Sequence, residues 1–183
     1  MSRVRLEVML GSVRPQRVAP VVADWFVDHA RRHPDFDTGT LDLADFALPN
    51  DLAETTGTQE FRHRLAAADA FVAITPEYNH GYSGALKTAF DSAKHEWRAK
   101  PIGFVSYGGL SGGLRATEQL RAVVAELHMV SVRETVSFHD VKHRFDAADP
   151  IAADAAARLL EQLAWWAKAL APHRDSYPGS RRR

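Results

Sequence analysis

Short strand-like segments at 4–10, 37–43, 70–74, 102–106 and 129–136, of which 37–43 has the weakest apolar pattern, are each followed by a stretch with apolar residues at helical spacing. Runs of that length are buried strands, and the helical stretches fall at 18–30, 59–68, 84–93, 114–126 and 151–170. The first helix carries Val18, Val21, Val22, Trp25, Phe26 and Ala30 on one side, and the fourth carries Leu114, Leu120, Val123, Val124 and Leu127. The last has a stripe of Ile151, Ala155, Leu159, Leu160, Leu163 and Trp166. Strands that alternate with helices need crossover connections, so the sheet is parallel and its helices cover both faces. The expected fold is therefore an α/β three-layer sandwich with strand order 2-1-3-4-5. The second strand is the weakest in pattern, 45–58 is a polar surface excursion, and 137–150 is irregular.

Composition narrows the function. Twenty-three basic residues against 23 acidic ones leave no net field to draw nucleic acid or an anionic membrane. With no cysteine there is no thiolate nucleophile and no disulfide framework, in keeping with a reducing cytoplasm. The charged start of the chain lacks the pattern of a signal peptide, and no apolar run approaches the ~18 residues that span a bilayer. A cytoplasmic protein is expected, with 1–175 as one domain and 176–183 as a disordered tail.

In open parallel sheets, ligands bind beyond the carboxyl ends of the strands, where chain order reverses. The order 2-1-3-4-5 sets strands one, three and four side by side, and the three unusual loops of the sequence follow those strands. The first, around Gly11, Ser12, Arg14 and Arg17, joins a helix start to a hydroxyl and two guanidinium groups, which suits a phosphate. A plain turn with solvated arginines is the competing reading. Neither G-x-G-x-x-G nor G-x-x-x-x-G-K-[ST] occurs, which removes the main support for dinucleotide-binding and P-loop readings. The second loop places Pro76, Glu77, Tyr78 and Asn79 where a mere turn needs no aromatics. It can line a planar ring, with backbone N–H groups of 77–79 facing polar ring edges. The third, Tyr107, Gly108 and Gly109 through Gly113, lets main chain approach a ligand, or simply caps a helix.

These three segments resemble the signatures of the NAD(P)H-dependent FMN reductase family. They are Gly11-Ser12-Val13-Arg14-Pro15, then Pro76-Glu77-Tyr78-Asn79 with Gly84-Ala85-Leu86-Lys87, then Ser106-Tyr107-Gly108-Gly109 with Gly112-Gly113. The resemblance runs from Val4 to about Leu127. It implies a flavodoxin-like fold, FMN as bound cofactor and NAD(P)H as co-substrate. It assigns Ser12, Arg14 and Arg17 to the FMN phosphate, 76–79 to the isoalloxazine ring and 107–109 to its pyrimidine end. Ser83 stands where the family commonly has proline; it can cap the helix, with a looser loop as the expected result.

Since the chemistry belongs to the cofactors, no catalytic side chain is expected. The implied cycle is ping-pong: NAD(P)H delivers hydride and leaves, and a quinone, free flavin or azo compound takes its place. N–H groups of 107–109 would stabilise negative charge near the pyrimidine end by ~2 to 4 kcal/mol, as in oxyanion holes. A flavodoxin-type electron carrier and a non-flavin nucleotide- or phosphate-binding enzyme are the alternatives. Two features of the carriers, acidity and a Ser/Thr-Gly-rich phosphate loop, differ from this neutral chain. His139 and His143 are read as solvated, with no metal assigned. Trp97, Trp165 and Trp166 are core or interface candidates. The resemblance implies a homodimer or dimer of dimers, with the helix after the second loop, out to Trp97, as the preferred interface.

Overall fold

The computed structural model describes residues 3–178. Its sheet has five parallel strands: β1 (Val4–Leu10), β2 (Phe36–Asp42), β3 (Ala70–Pro76), β4 (Pro101–Tyr107) and β5 (Val130–Phe138). Their order is β2-β1-β3-β4-β5, and every pairing is parallel. The central strands β3 and β4 are buried along their whole length, as strands covered on both faces must be.

Helices α1 (Ala19–Arg32) and α6 (Pro150–Leu170) cover one face, and α2 (Thr56–Ala67), α3 (Gly84–Asp91) and α4 (Leu114–Glu126) cover the other. The first core is largely aliphatic, whereas the second is centred on Trp97, whose ring meets Phe61, Phe71 and Phe90. Trp97 is fully buried and its Nε1–H donates to the Phe90 carbonyl at 3.1 Å, so it belongs to the core of the chain rather than to its surface. Trp165 is 63% exposed, and Trp166 is partly buried against the first core.

Three apolar positions differ from the periodic reading, and the first is Val21, 53% exposed in the opening turn of α1. Ile151 is 77% exposed because the buried stripe of α6 begins one residue later, at Ala152, and continues through Ala156, Leu159 and Leu163. Leu114 is half exposed at the very start of α4, beyond the sheet edge that buries Leu120 and Val124.

Local chemistry fixes the helix ends. Thr55 and Thr58 form a reciprocal capping box at α2. At the other end of α2, the buried Lys100 donates from Nζ to the carbonyls of Leu65 at 2.7 Å and Ala66 at 3.3 Å. Three-10 turns follow β2 (Leu43–Asp45) and α6 (Ala171–Ser176), and the segment after β5 contains one helical turn, α5 (Val141–Arg144). Of the expected tail, Ser176 ends a 3-10 turn and the Tyr177 hydroxyl lies 3.0 Å from His128 Nδ1, while 179–183 fall outside the described residues. No helix among the described residues is long and apolar enough to cross a membrane.

Candidate functional site

The loops after β1, β3 and β4 open on one cavity of about 510 Å³, large enough for a mononucleotide-sized ligand. Ser12, Arg14 and Arg17 line it from the first loop, Pro76, Glu77 and Tyr78 from the second, and Tyr107, Gly108 and Gly109 from the third. Gly11 lies behind the wall, where a Cβ would come within 2.9 Å of the Ile74 carbonyl oxygen. Asn79 falls at the tip of a two-residue hairpin. With Asn79 at φ 50° and His80 at φ 77°, Tyr78 and Gly81 exchange hydrogen bonds of 2.8 and 3.1 Å, the pattern of a type I′ turn.

The first loop meets the second through hydroxyls. Ser12 is buried and its Oγ lies 2.7 Å from the Tyr78 hydroxyl. Arg14 sets its guanidinium over the Tyr78 ring, 5.2 Å from the centroid. Arg17 turns away toward β2: it donates to Asp42 Oδ1 at 2.9 Å, to Asp42 Oδ2, and to the Ser12 carbonyl at 2.6 Å. Its charge is therefore partnered within the chain. The start of α1 has neither a side-chain cap nor an acidic residue in its first turn, so its dipole and the N–H groups beside Pro20, which has none, face the loop.

The second loop is braced from behind. Ser83 accepts from the Leu86 N–H at 3.2 Å, capping α3, and donates to the Gly11 carbonyl. Proline could do neither, and this serine ties the first two loops together instead of loosening them. The Glu77 side chain, 6% exposed, lies 2.8 Å from Arg115 Nε and accepts from the Ser111 hydroxyl. Gln119 Nε2 donates to the His80 carbonyl at 2.9 Å, which anchors the hairpin on α4. Two backbone donors expected to face a ring are committed internally: Glu77 N–H to the Tyr107 carbonyl at 3.0 Å, and Tyr78 N–H to Gly81.

In the third loop the glycines divide by role. Gly113 sits at φ +88° with Ser106 Cβ 2.6 Å from where its own Cβ would be, so only glycine fits. At Gly109, by contrast, an added Cβ would meet nothing within 4 Å. The Gly108 N–H donates to the Phe138 carbonyl at 3.2 Å, which leaves Gly109 as the open donor of this stretch among the described residues.

Tyr107 is 6% exposed, and its hydroxyl is buried without a hydrogen-bond partner among the described residues. Burial pushes this phenol far above the ordinary tyrosine range, and the Tyr78 phenol pushes the same way. The Ser12 hydroxyl, Arg17 and Arg14 pull it back by less. Tyr107 is thus a neutral hydroxyl at working pH, with its hydrogen available to a ligand in the cavity.

Sequence reasoning left the segment after β5 without a role. The structure brings Asp140, Val141 and Lys142 to the cavity wall. The third loop holds them there, since the N–H groups of Asp140 and Val141 donate to the carbonyls of Gly109 and Gly108 at 3.0 and 3.2 Å. Trp25 of α1 packs on Phe138 and donates to the Ala147 carbonyl at 3.1 Å. The one available signal was position, since this segment leaves the carboxyl end of β5, the strand beside β4 and its glycine loop. His139 and His143 go separate ways: His139 Nδ1 is 2.8 Å from the Leu110 carbonyl, and His143 Nδ1 is 2.9 Å from Asp140.

Comparison with known proteins gives this geometry its context. The model of the NADPH-dependent FMN reductase family matches residues 4–143. An NAD(P)H-dependent FMN reductase of Schizosaccharomyces pombe is 38% identical over 136 residues, 68% of this chain and 68% of that protein. An NADPH:quinone oxidoreductase of Arabidopsis thaliana is 27% identical over 172 residues, 87% of this chain and 88% of that one. Among solved structures, the flavoenzyme NAD(P)H:(acceptor) oxidoreductase FerB of Paracoccus denitrificans superposes with a TM-score of 0.73 at 22% identity. It covers 91% of this chain and 98% of its own, and at that identity the likeness speaks for the fold. With the family model spanning three quarters of its length, the chain belongs to the NADPH-dependent FMN reductase family of oxidoreductases.

Proposed function

We propose that this chain is a cytoplasmic NAD(P)H-dependent FMN oxidoreductase that passes hydride equivalents from nicotinamide to a small acceptor in a ping-pong cycle. The observation that carries this reading is the meeting of three loops on one cavity, with Arg14 and the uncapped start of α1 at one side and the open glycine Gly109 at the other. The residues fit FMN. The uncapped start of α1 suits a phosphate, the partnerless Tyr107 hydroxyl suits a polar ligand atom, and the space beside Gly109 admits a flat ring edge.

Bound FMN would supply the hydride chemistry between the nicotinamide and a quinone, azo compound or free flavin. The chain's own work is binding, orientation and electrostatics. Ser12, Arg14 and the first turn of α1 hold the phosphate, and Arg17, clamped by Asp42, shapes the loop that presents them. Pro76, Glu77 and Tyr78 wall the ring, and Glu77 fixes that wall by its contacts to Ser111 and Arg115. The Gly109 N–H meets negative charge at the ring edge, and Tyr107 donates without ever ionising near neutrality. In the proposed cycle the acceptor would use the same cavity after the nicotinamide has left. A homodimer or dimer of dimers packed along α3 completes the reading. There Ala85 and Thr88 share a groove of about 480 Å³ with Val13, Phe46 and Leu48, and light scattering tests the assembly.

The deciding experiment loads the protein with FMN and follows bleaching by NADH and NADPH separately, then reoxidation by a quinone, an azo dye and free flavin. Rapid two-electron bleaching and reoxidation are expected. Flavin that binds but is not bleached by either nucleotide would leave an electron carrier, and a protein that takes up no FMN would leave a non-flavin phosphate-binding enzyme.

A further inference from the structure

Three basic side chains line the cavity: Arg14, Arg17 and Lys142. Arg17 is neutralised by Asp42. The acidic side chains of the lining are also engaged, Glu77 with Arg115 at 2.8 Å and Asp140 with His143 at 2.9 Å. Arg14 contacts the Tyr78 ring face and has no carboxylate partner among the described residues. Lys142 makes neither an ion pair nor a hydrogen bond among them. Two cations without a carboxylate partner among the described residues therefore border one cavity, held together by the bonds from the β5 segment to the third loop. That same lining holds the buried, partnerless Tyr107 hydroxyl.

A phosphomonoester carries −1.5 to −2 charge near neutrality and presents three strong acceptor oxygens. Two cations and a hydroxyl donor match that demand, whereas a phosphodiester, with its single charge, would need only one of the cations. We propose that Lys142 acts with Arg14 to seat a phosphomonoester in this cavity, which makes the segment after β5 a working part of the site. The proposal deepens the reading above and rests on it. Within that reading two ligands bring such a group, the 5′-phosphate of FMN and the 2′-phosphate of NADPH. Lysine suits the task as a mobile point charge on a long stem.

The test compares wild type with Lys142→Gln and Lys142→Arg. Flavin fluorescence gives the Kd for FMN and for riboflavin at two salt concentrations, and steady-state rates at saturating FMN give KM for NADPH and NADH. If the seat takes the FMN phosphate, Lys142→Gln raises the FMN Kd roughly tenfold and flattens its salt dependence, leaves riboflavin unchanged, and Lys142→Arg restores binding. If it takes the 2′-phosphate, KM for NADPH rises by a similar factor while KM for NADH and both flavin constants stay put. Lys142→Gln indistinguishable from wild type in all four constants, or equal losses for FMN and riboflavin, overturns the proposal. The wild-type arm separates this from the broader reading. Wild type that binds FMN but is not bleached defeats the reductase while the flavin comparison still decides Lys142, and wild type that takes up no FMN defeats both.

Discussion

On one wall of the cavity, Glu77, Ser111, Arg115 and Gln119 lock the hairpin and the glycine loop onto α4, and the lining there is proline, tyrosine and glycine with no cation. The opposite wall, from Ser12 to Val18, faces inward with side chains that carry charge, and a single ion pair from Arg17 to Asp42 holds it to β2. The difference separates two kinds of recognition. A wall without a cation discriminates by shape and gives every flat ligand the same fit, whereas a wall of charges reads the presence of phosphate and answers to salt.

That contrast can be broken by mutation. The largest effect is expected at Gly113, where valine would force a β-branched side chain into a left-handed backbone against Ser106. A loss of about 3 kcal/mol or more in urea unfolding is expected, with FMN and riboflavin binding lost together. Glu77→Ala removes the brace and leaves Ser111 and Arg115 without their carboxylate. It should cost about 2 kcal/mol of stability and weaken FMN and riboflavin by the same factor, as calorimetric titration would show. Should riboflavin be spared, the ring wall does not depend on this brace. Arg14→Ala tests the other wall: roughly a tenfold loss for FMN, about 1.4 kcal/mol, with riboflavin and the melting temperature nearly unchanged. The smallest effect is at Tyr107, which sits between the walls. Tyr107→Phe deletes a buried unsatisfied hydroxyl, so the ligand-free protein should gain about 1 kcal/mol and melt a few degrees higher, while flavin binding weakens. A variant that melts lower, or that binds flavin as well as wild type, would show the hydroxyl to be satisfied without ligand.

The fold was legible in the chain because β1, β3 and β4 are compact, mostly apolar runs and the helices between strands carry apolar faces; β1 and α4 begin and end where the pattern does. Errors of assignment came at ends that overhang the sheet, as at Ile151 and Leu114, where periodicity persists after burial has stopped. Within the site, residues with unusual local chemistry could be read: glycines, a proline and aromatics in loops that had no need of them. Partnership could not. That Arg17 would face Asp42 depends on how β1 and β2 align, through pairs such as Leu10 with Asp42, and no local pattern records it. Lys142 was silent for a related reason, since it sits in an irregular stretch and reaches the cavity only through bonds to Gly108 and Gly109.

Lys100, whose amine ends α2 beneath Phe71, ties folding to proton concentration. Burial draws its pKa from the ordinary 10.5 down to about 8, and the Arg174 charge adds to this, against the pull of Asp69 and Glu96. Below pH 8 the amine is charged in both states, and the folded state bears the whole cost of burying that charge. Between pH 8 and 10.5 the unfolded chain holds a proton that the folded one has released, so this residue's contribution to stability climbs with pH. The second core of this protein is thus relieved of a buried cation under mildly alkaline conditions, and it folds there by giving up a proton.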